Sequence, residues 1–134
     1  MDLSTLNLVE YANGSQRMEV MHPITGDNLL TSDGQKVYIE LLGSDSTRMR
    51  TEMSDRARKQ MAKRNANQIM SMDDAEKASA ELLAAITVSW FGIEENGQVL
   101  ECTHENVVAV YTKYSWLRLQ ADAFASDRGN FFKA

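Results

Sequence analysis

Up to Gly43 the apolar residues of this chain fall in short runs broken by turn-forming residues, and beyond it they recur at helical spacing. This change of period constrains the fold most, because side chains alternate faces along a strand but share a face every three or four residues along a helix. Arg17-Met18-Glu19-Val20-Met21-His22 alternates large apolar with polar side chains. Val37-Tyr38-Ile39-Glu40-Leu41-Leu42 is rich in β-branched and aromatic residues, so both segments are strand candidates. Between them, Pro23, Thr25-Gly26-Asp27-Asn28 and Ser32-Asp33-Gly34-Gln35 supply turns on both sides of Leu29-Leu30, leaving room for a third short strand. The expectation is a small antiparallel hairpin or sheet over residues 1–43. Such a sheet is marginal alone and needs a helix or another subunit against one face.

Ser44-Asp45-Ser46 offers capping oxygens for a helix of roughly 20 residues. Met49, Met53, Ala57, Met61 and Ala62 mark its expected buried stripe, and Asn65-Ala66-Asn67 weakens the pattern near its end. Ser71 with Asp74 supplies the next cap. The helix that follows is expected over Met72 to Trp90, with Leu82, Leu83, Ile86, Trp90 and Phe91 as core bulk and Gly92 as its stop. Glu94-Glu95-Asn96-Gly97-Gln98 reads as a surface turn and Val99-Leu100-Glu101-Cys102 as a short extended piece. Thr103 caps a third helix, with Asn106 in the place of the usual Glu or Gln of a capping box, and Val107, Val108, Val110, Tyr111 and Tyr114 on its buried face. Ser115 is expected to cap the last helix, which carries Trp116, Leu119, Ala123 and Phe124. The fold class is therefore α+β: a small N-terminal antiparallel element over 1–43, then a mainly α-helical part over 44–134 with about four helices, together one compact unit.

With 134 residues, 43% of them hydrophobic, the chain has material for one core and no need of a metal or disulfides to hold it. Cys102 is the single cysteine and has no partner within the chain, which suits a reducing compartment. The start, MDLSTLNLVEYANG, lacks the basic and apolar regions of a secretory signal, and the most apolar stretch, Leu82 to Gly92, carries Thr87 and Ser89 and falls well short of the roughly 18 residues that cross a bilayer. The expectation is a cytoplasmic protein with no membrane contact.

A net charge of −5 argues against general duplex binding, which draws its affinity from cations on phosphate. Seven of the 14 Lys and Arg residues nevertheless lie between Arg48 and Arg64; a solvated helix face is favoured over a phosphate-binding one. His22 and His104 lie in different segments, neither beside a nucleophile turn, so no catalytic residue is nominated. One cysteine and two separated histidines do not make a zinc site, and Asp73-Asp74 and Glu94-Glu95 read as a helix start and a solvated turn. No glycine precedes a Lys-Ser or Lys-Thr pair, so no phosphate loop is present. No cofactor follows from the sequence. Eight methionines, with Met49, Met53, Met61, Met70 and Met72 in or near one helix, suit either core filling, which is favoured, or an adaptable partner surface.

Ala84-Ala85-Ile86-Thr87-Val88-Ser89-Trp90-Phe91-Gly92-Ile93, then Asn96-Gly97, Thr103, Glu105-Asn106-Val107, and finally Trp116-Leu117 through Asp127 to Phe131-Phe132, resembles the C-terminal half of the phage tail assembly chaperones. His22-Pro23-Ile24-Thr25-Gly26, Val37-Tyr38-Ile39 and Gly43-Ser44-Asp45-Ser46 also resemble the start of such proteins. Where the family's loop often reads Leu-Pro-Phe before the capping residue, this chain has Leu100-Glu101-Cys102. The resemblance implies a non-enzymatic chaperone of a long-tailed bacteriophage. Such a protein binds the tape-measure protein in the host cytoplasm while tail tube subunits polymerise around it, and is absent from the mature virion. It also implies a longer form made by ribosomal frameshifting, and self-association. Trp90, Phe91, Tyr114, Trp116, Phe131 and Phe132 are the candidate partner contacts, with Phe131 and Phe132 equally suited to folding onto their own core.

Two other readings compete. One is a structural tail or head-completion subunit retained in the virion; the other is a nucleic-acid-binding regulator that uses the Arg48 to Arg64 segment.

Overall fold

In a computed structural model of the protein, which describes residues 1–63 and 71–132, the alternating segments form strands as expected. β1 (Gln16–Glu19) pairs antiparallel with β2 (Tyr38–Leu41), Met18 facing Ile39 and Arg17 facing Glu40. Leu29-Leu30 does not become a full strand. It is held by single bridges, Met21 to Asn28 and Leu30 to Lys36, because turns at Gly26 and Gly34 leave too few residues on either side for a ladder.

The third strand comes from the middle of the chain. The expected helix over Met72 to Trp90 stops at Ile86 (α3, Met72–Ile86), and Thr87–Phe91 continues as β3, antiparallel to β2 on its other side. The run Thr87-Val88-Ser89-Trp90-Phe91 has no helical period of its own, and its β-branched and aromatic residues suit a strand once β2 offers an edge. A register shift between Glu40 and Leu41 lets Thr87 face Leu41. There its hydroxyl donates to the Leu83 carbonyl at 2.8 Å and accepts from the Tyr111 hydroxyl at 2.9 Å.

Helices cover one face of this sheet. Met18, Ile39 and Leu41 point inward onto Leu83 and Ile86 of α3, Val107, Val110 and Tyr111 of α4 (His104–Lys113), and Leu117, Ala121 and Ala125 of α5 (Ser115–Ser126). Each fully buried Ile or Leu contributes about 1.5–3 kcal/mol relative to an exposed one. Ala80, Ala84, Ala121 and Ala125 let the helix backbones and the sheet approach closely. The protein is thus α+β, with five helices among the described residues. The outer face of the sheet carries Arg17, Glu19, Tyr38, Glu40, Ser89 and Phe91.

Three details of the helices differ from expectation. A short helix, α1 (Leu8–Ala12), precedes the sheet, started by Asn7, whose side chain accepts from the Glu10 N–H. Ser115 is the first residue of α5, not its cap: Tyr114 holds the cap position without a side-chain bond. Asn106 does not close a capping box either, since its amide donates to the Glu101 carbonyl at 2.9 Å, while Thr103 caps α4 by accepting from the Asn106 N–H. Ser71 caps α3 as expected, accepting from the Asp74 N–H.

The largest difference concerns α2 (Thr47–Lys63). Among the described side chains of its expected buried stripe only Met49 is buried; Met53, Ala57 and Met61 are exposed, Met53 by 55% and Met61 by 67%. Arg56 of this helix is bonded to Glu81 of α3 and stands 3.5 Å from Glu52 of α2 itself. Arg64, Asn65-Ala66-Asn67, Met70, the side chains of Ala62 and Lys63, and Lys133-Ala134 lie outside the described residues.

Candidate partner-binding groove

Gly92 ends β3 with φ +80°, and a Cβ there would stand 2.9 Å from Thr31 Cγ2 and 3.0 Å from Val37 Cγ2, so only glycine fits. The chain then folds into a hairpin, β4 (Glu94–Glu95) and β5 (Gln98–Val99), the second of which holds part of the expected extended piece. Its two-residue turn is Asn96-Gly97, both with positive φ (54° and 78°), which matches the twist of paired strands. Trp90 fastens the hairpin to the body: its Nε1–H donates to the Leu100 carbonyl at 2.8 Å, and the Leu100 N–H donates to the Ile93 carbonyl at 2.9 Å.

The hairpin forms one wall of a groove of about 290 Å³. Ile93 and Leu100 face it from the hairpin, Leu29, Leu30 and Val37 from the β1–β2 connection, and Val110, Tyr114, Trp116 and Leu117 from the junction of α4 and α5. That volume lies at the small end of the roughly 300–1,000 Å³ usual for ligand pockets, and suits a few apolar side chains better than a whole metabolite. The polar edge is anchored. The Tyr114 hydroxyl donates to Glu95 Oε2 at 2.6 Å, and Lys113 Nζ stands 3.2 Å from the same oxygen. These two donors, Tyr114 foremost, hold the Glu95 carboxyl below its ordinary pKa, while the same carboxylate raises the Tyr114 phenol. The Tyr114 ring thus stands at the groove wall with its hydroxyl tied to the hairpin.

The six aromatic candidates do not form one site. Tyr114 and Trp116 line the groove, and Trp90 stands behind it as the hairpin's fastening. Phe91 lies on the outer face of the sheet, stacked on Tyr38 at 5.5 Å, with the Arg17 guanidinium 4.3 Å from the Tyr38 ring centre. Phe131 is buried against Phe124 at 5.7 Å and folds onto its own core, so it offers no surface to a partner. Phe132 is half-exposed and meets Tyr11 edge-on at 5.0 Å. Leu29, Leu30, Ile93 and Leu100 were not foreseen as groove residues; their only signal is the placing of apolar side chains directly beside turns.

Other reactive groups have structural surroundings. His22 Nδ1 accepts from the N–H groups of Ile24 and Thr25, closing a turn. His104 is the exposed first residue of α4. Burial pushes the Cys102 thiol up, away from the reactive thiolate. Among the described residues no three or more His, Cys, Asp or Glu side chains are grouped to hold a metal ion, and no helix is long and apolar enough to cross a membrane. The chain matches no protein-family model, no curated protein and no solved structure.

Proposed function

We propose that this chain is a non-enzymatic tail assembly chaperone of a long-tailed bacteriophage, which binds the tape-measure protein in the host cytoplasm and helps recruit tail tube subunits. The groove walled by Tyr114 and Trp116 carries this reading: its lining is mostly apolar, and the Trp90 and Glu95 bonds tie its hairpin wall to the helices and the sheet. The resemblance over roughly residues 72 to 132 supplies the biological setting. A helical client exposes apolar stripes before the tube surrounds it, and a groove that accepts a few of those side chains shields them without hydrolysis. Affinity per copy is modest, and many copies along one client raise the effective affinity, with self-association and a frameshift-extended form of the chain as further partners.

Co-expression with the phage tape-measure protein tests the reading. Capture of the client and its rescue from aggregation is the expected result. Absence of binding, together with this chain in purified particles by mass spectrometry, sinks it. The second of those results favours a virion subunit, the reading suggested by the sheet itself, whose β1 and β3 are both edge strands able to pair with a neighbour.

A further inference from the structure

We propose that the outer flank of α2 is a second docking surface, built for an acidic amphipathic helix of a partner protein. Met53, Ala57 and Met61 recur every four residues and form one exposed apolar stripe. Arg50 and Arg58 border it, each three residues before a methionine. Beside the stripe lies a shallow hollow of about 360 Å³ between α2 and the segment before it, lined by Ser44, Ser46, Arg50, Met53, Ser54 and Ala57.

The charge around the stripe is uneven. α2 carries six cations (Arg48, Arg50, Arg56, Arg58, Lys59, Lys63) against Glu52 and Asp55, in a chain whose net charge is −5. Glu52 stands 3.6 Å from Arg48 and 3.5 Å from Arg56, and Glu81 also takes Arg56. Asp45, which also lines the hollow, is committed to Arg128 by two bonds of 2.7 and 3.1 Å. Arg50 therefore has no ion pair among the described residues, and Arg58 holds Asp55 only through an exposed pair that exchanges readily. Positive charge beside a flexible thioether surface calls for carboxylates beside apolar knobs. Eight residues separate the two arginines, about 12 Å along the helix, so the matching carboxylates stand two turns apart on the partner.

This pattern favours a protein helix over the other anionic partners. A bilayer-seeking helix offers Trp, Phe or Leu, where α2 offers methionine and alanine. Duplex binding needs many unneutralised cations, and Glu52 and Glu81 already engage Arg48 and Arg56 on α2. The stripe shares no residue with the groove, so the two surfaces stand or fall separately.

The test uses the full chain, a synthetic amphipathic helix with leucines on one face and glutamates two turns apart, and a lysine version of the same peptide. The expected result is binding of the glutamate peptide with NMR shifts of the Met53 and Met61 methyls. R50E/R58E is expected to weaken it by about tenfold or more and to gain binding of the lysine peptide. M53Q/M61Q provides a second, uncharged route to the same loss; all four positions are exposed, and circular dichroism checks that each variant folds. The proposal is overturned if the glutamate peptide does not bind, if its binding ignores these substitutions, or if only phosphatidylglycerol vesicles, duplex DNA or a second copy of the chain moves the two methyls.

Discussion

The side chain of Gln120 completes the backbone of Met21: its Oε1 accepts from the Met21 N–H at 3.1 Å and its Nε2 donates to the Met21 carbonyl at 2.7 Å. An amide on α5 thus serves as a one-residue strand partner just beyond the end of β1. Gln120→Leu leaves both half-buried backbone groups unmatched, at a cost of about 1–3 kcal/mol. A lower urea midpoint with an unchanged slope checks this, together with faster hydrogen exchange at the Met21 amide. Gln120→Glu keeps the acceptor, loses the donor, and is expected to be the worse of the two at neutral pH.

Trp116 supplies aromatic area to the groove but is not part of the fully buried core. Trp116→Ala is expected to weaken client capture by about 2 kcal/mol, the scale of an interface hot spot, with a smaller effect on thermal stability. Comparing capture with the melting curve of the same variant separates the two. Equal losses in both would make Trp116 a core residue only.

Gly92→Ala adds a methyl where Thr31 and Val37 already stand within about 3 Å, at a φ that side chains rarely adopt. Strain and overpacking each cost about 1–3 kcal/mol, so the variant is expected to lose about 2 kcal/mol or more. Because Gly92 joins β3 to the hairpin, client binding should fall with stability. Gly97→Ala meets no neighbour within 4 Å and suffers only from its φ of 78°, so its loss should be smaller.

The Asp45 carboxylate is held below its ordinary pKa, chiefly by its hydrogen bond to Arg128. A carboxyl lowered in the folded state adds stability that is complete above its unfolded value, near 3.8, and is lost as pH falls through the native value. Asp45→Asn is therefore expected to destabilise at neutral pH and to approach the wild-type curve in strong acid. Thermal melts from pH 7 down to pH 2 check this, and parallel curves throughout would exclude the pair as a contributor.

Much of the architecture was legible because local and global preferences agree there. Met18 and Ile39 alternate with polar neighbours, and β1 and β2 form where that alternation occurs. The caps at Ser71 and Thr103 act as their residue types imply. The two largest departures, at α2 and β3, share one cause. A helical period shows that a helix has an apolar side, and says nothing about whether another element reaches that side. On α2 the neighbour, α3, meets Arg56 through Glu81 instead of covering Met53 and Met61. On β3 the opposite happened: Trp90 and Phe91 sat at apparent helical spacing from Leu83 and Ile86, and the free edge of β2 drew them into a sheet. In the groove, Tyr114 and Trp116 were legible as aromatics near a helix junction, but the walls at Leu29 and Leu100 arise from chain crossings that local pattern cannot encode.

The late arrival of β3 also orders events on the ribosome. β1 and β2 are synthesised first, yet the edge of β2 stays unmatched until the 45 residues from 42 to 86 have been added and Thr87–Phe91 emerges. At bacterial elongation rates of 5–20 residues per second this interval lasts roughly two to nine seconds, long enough for two nascent chains on one message to pair through that edge. A premature stop between Leu42 and Thr87 would make the interval permanent. Such fragments leave the edge of β2 bare, whereas a stop after Phe91 leaves all three strands paired in order with their helical cover unfinished.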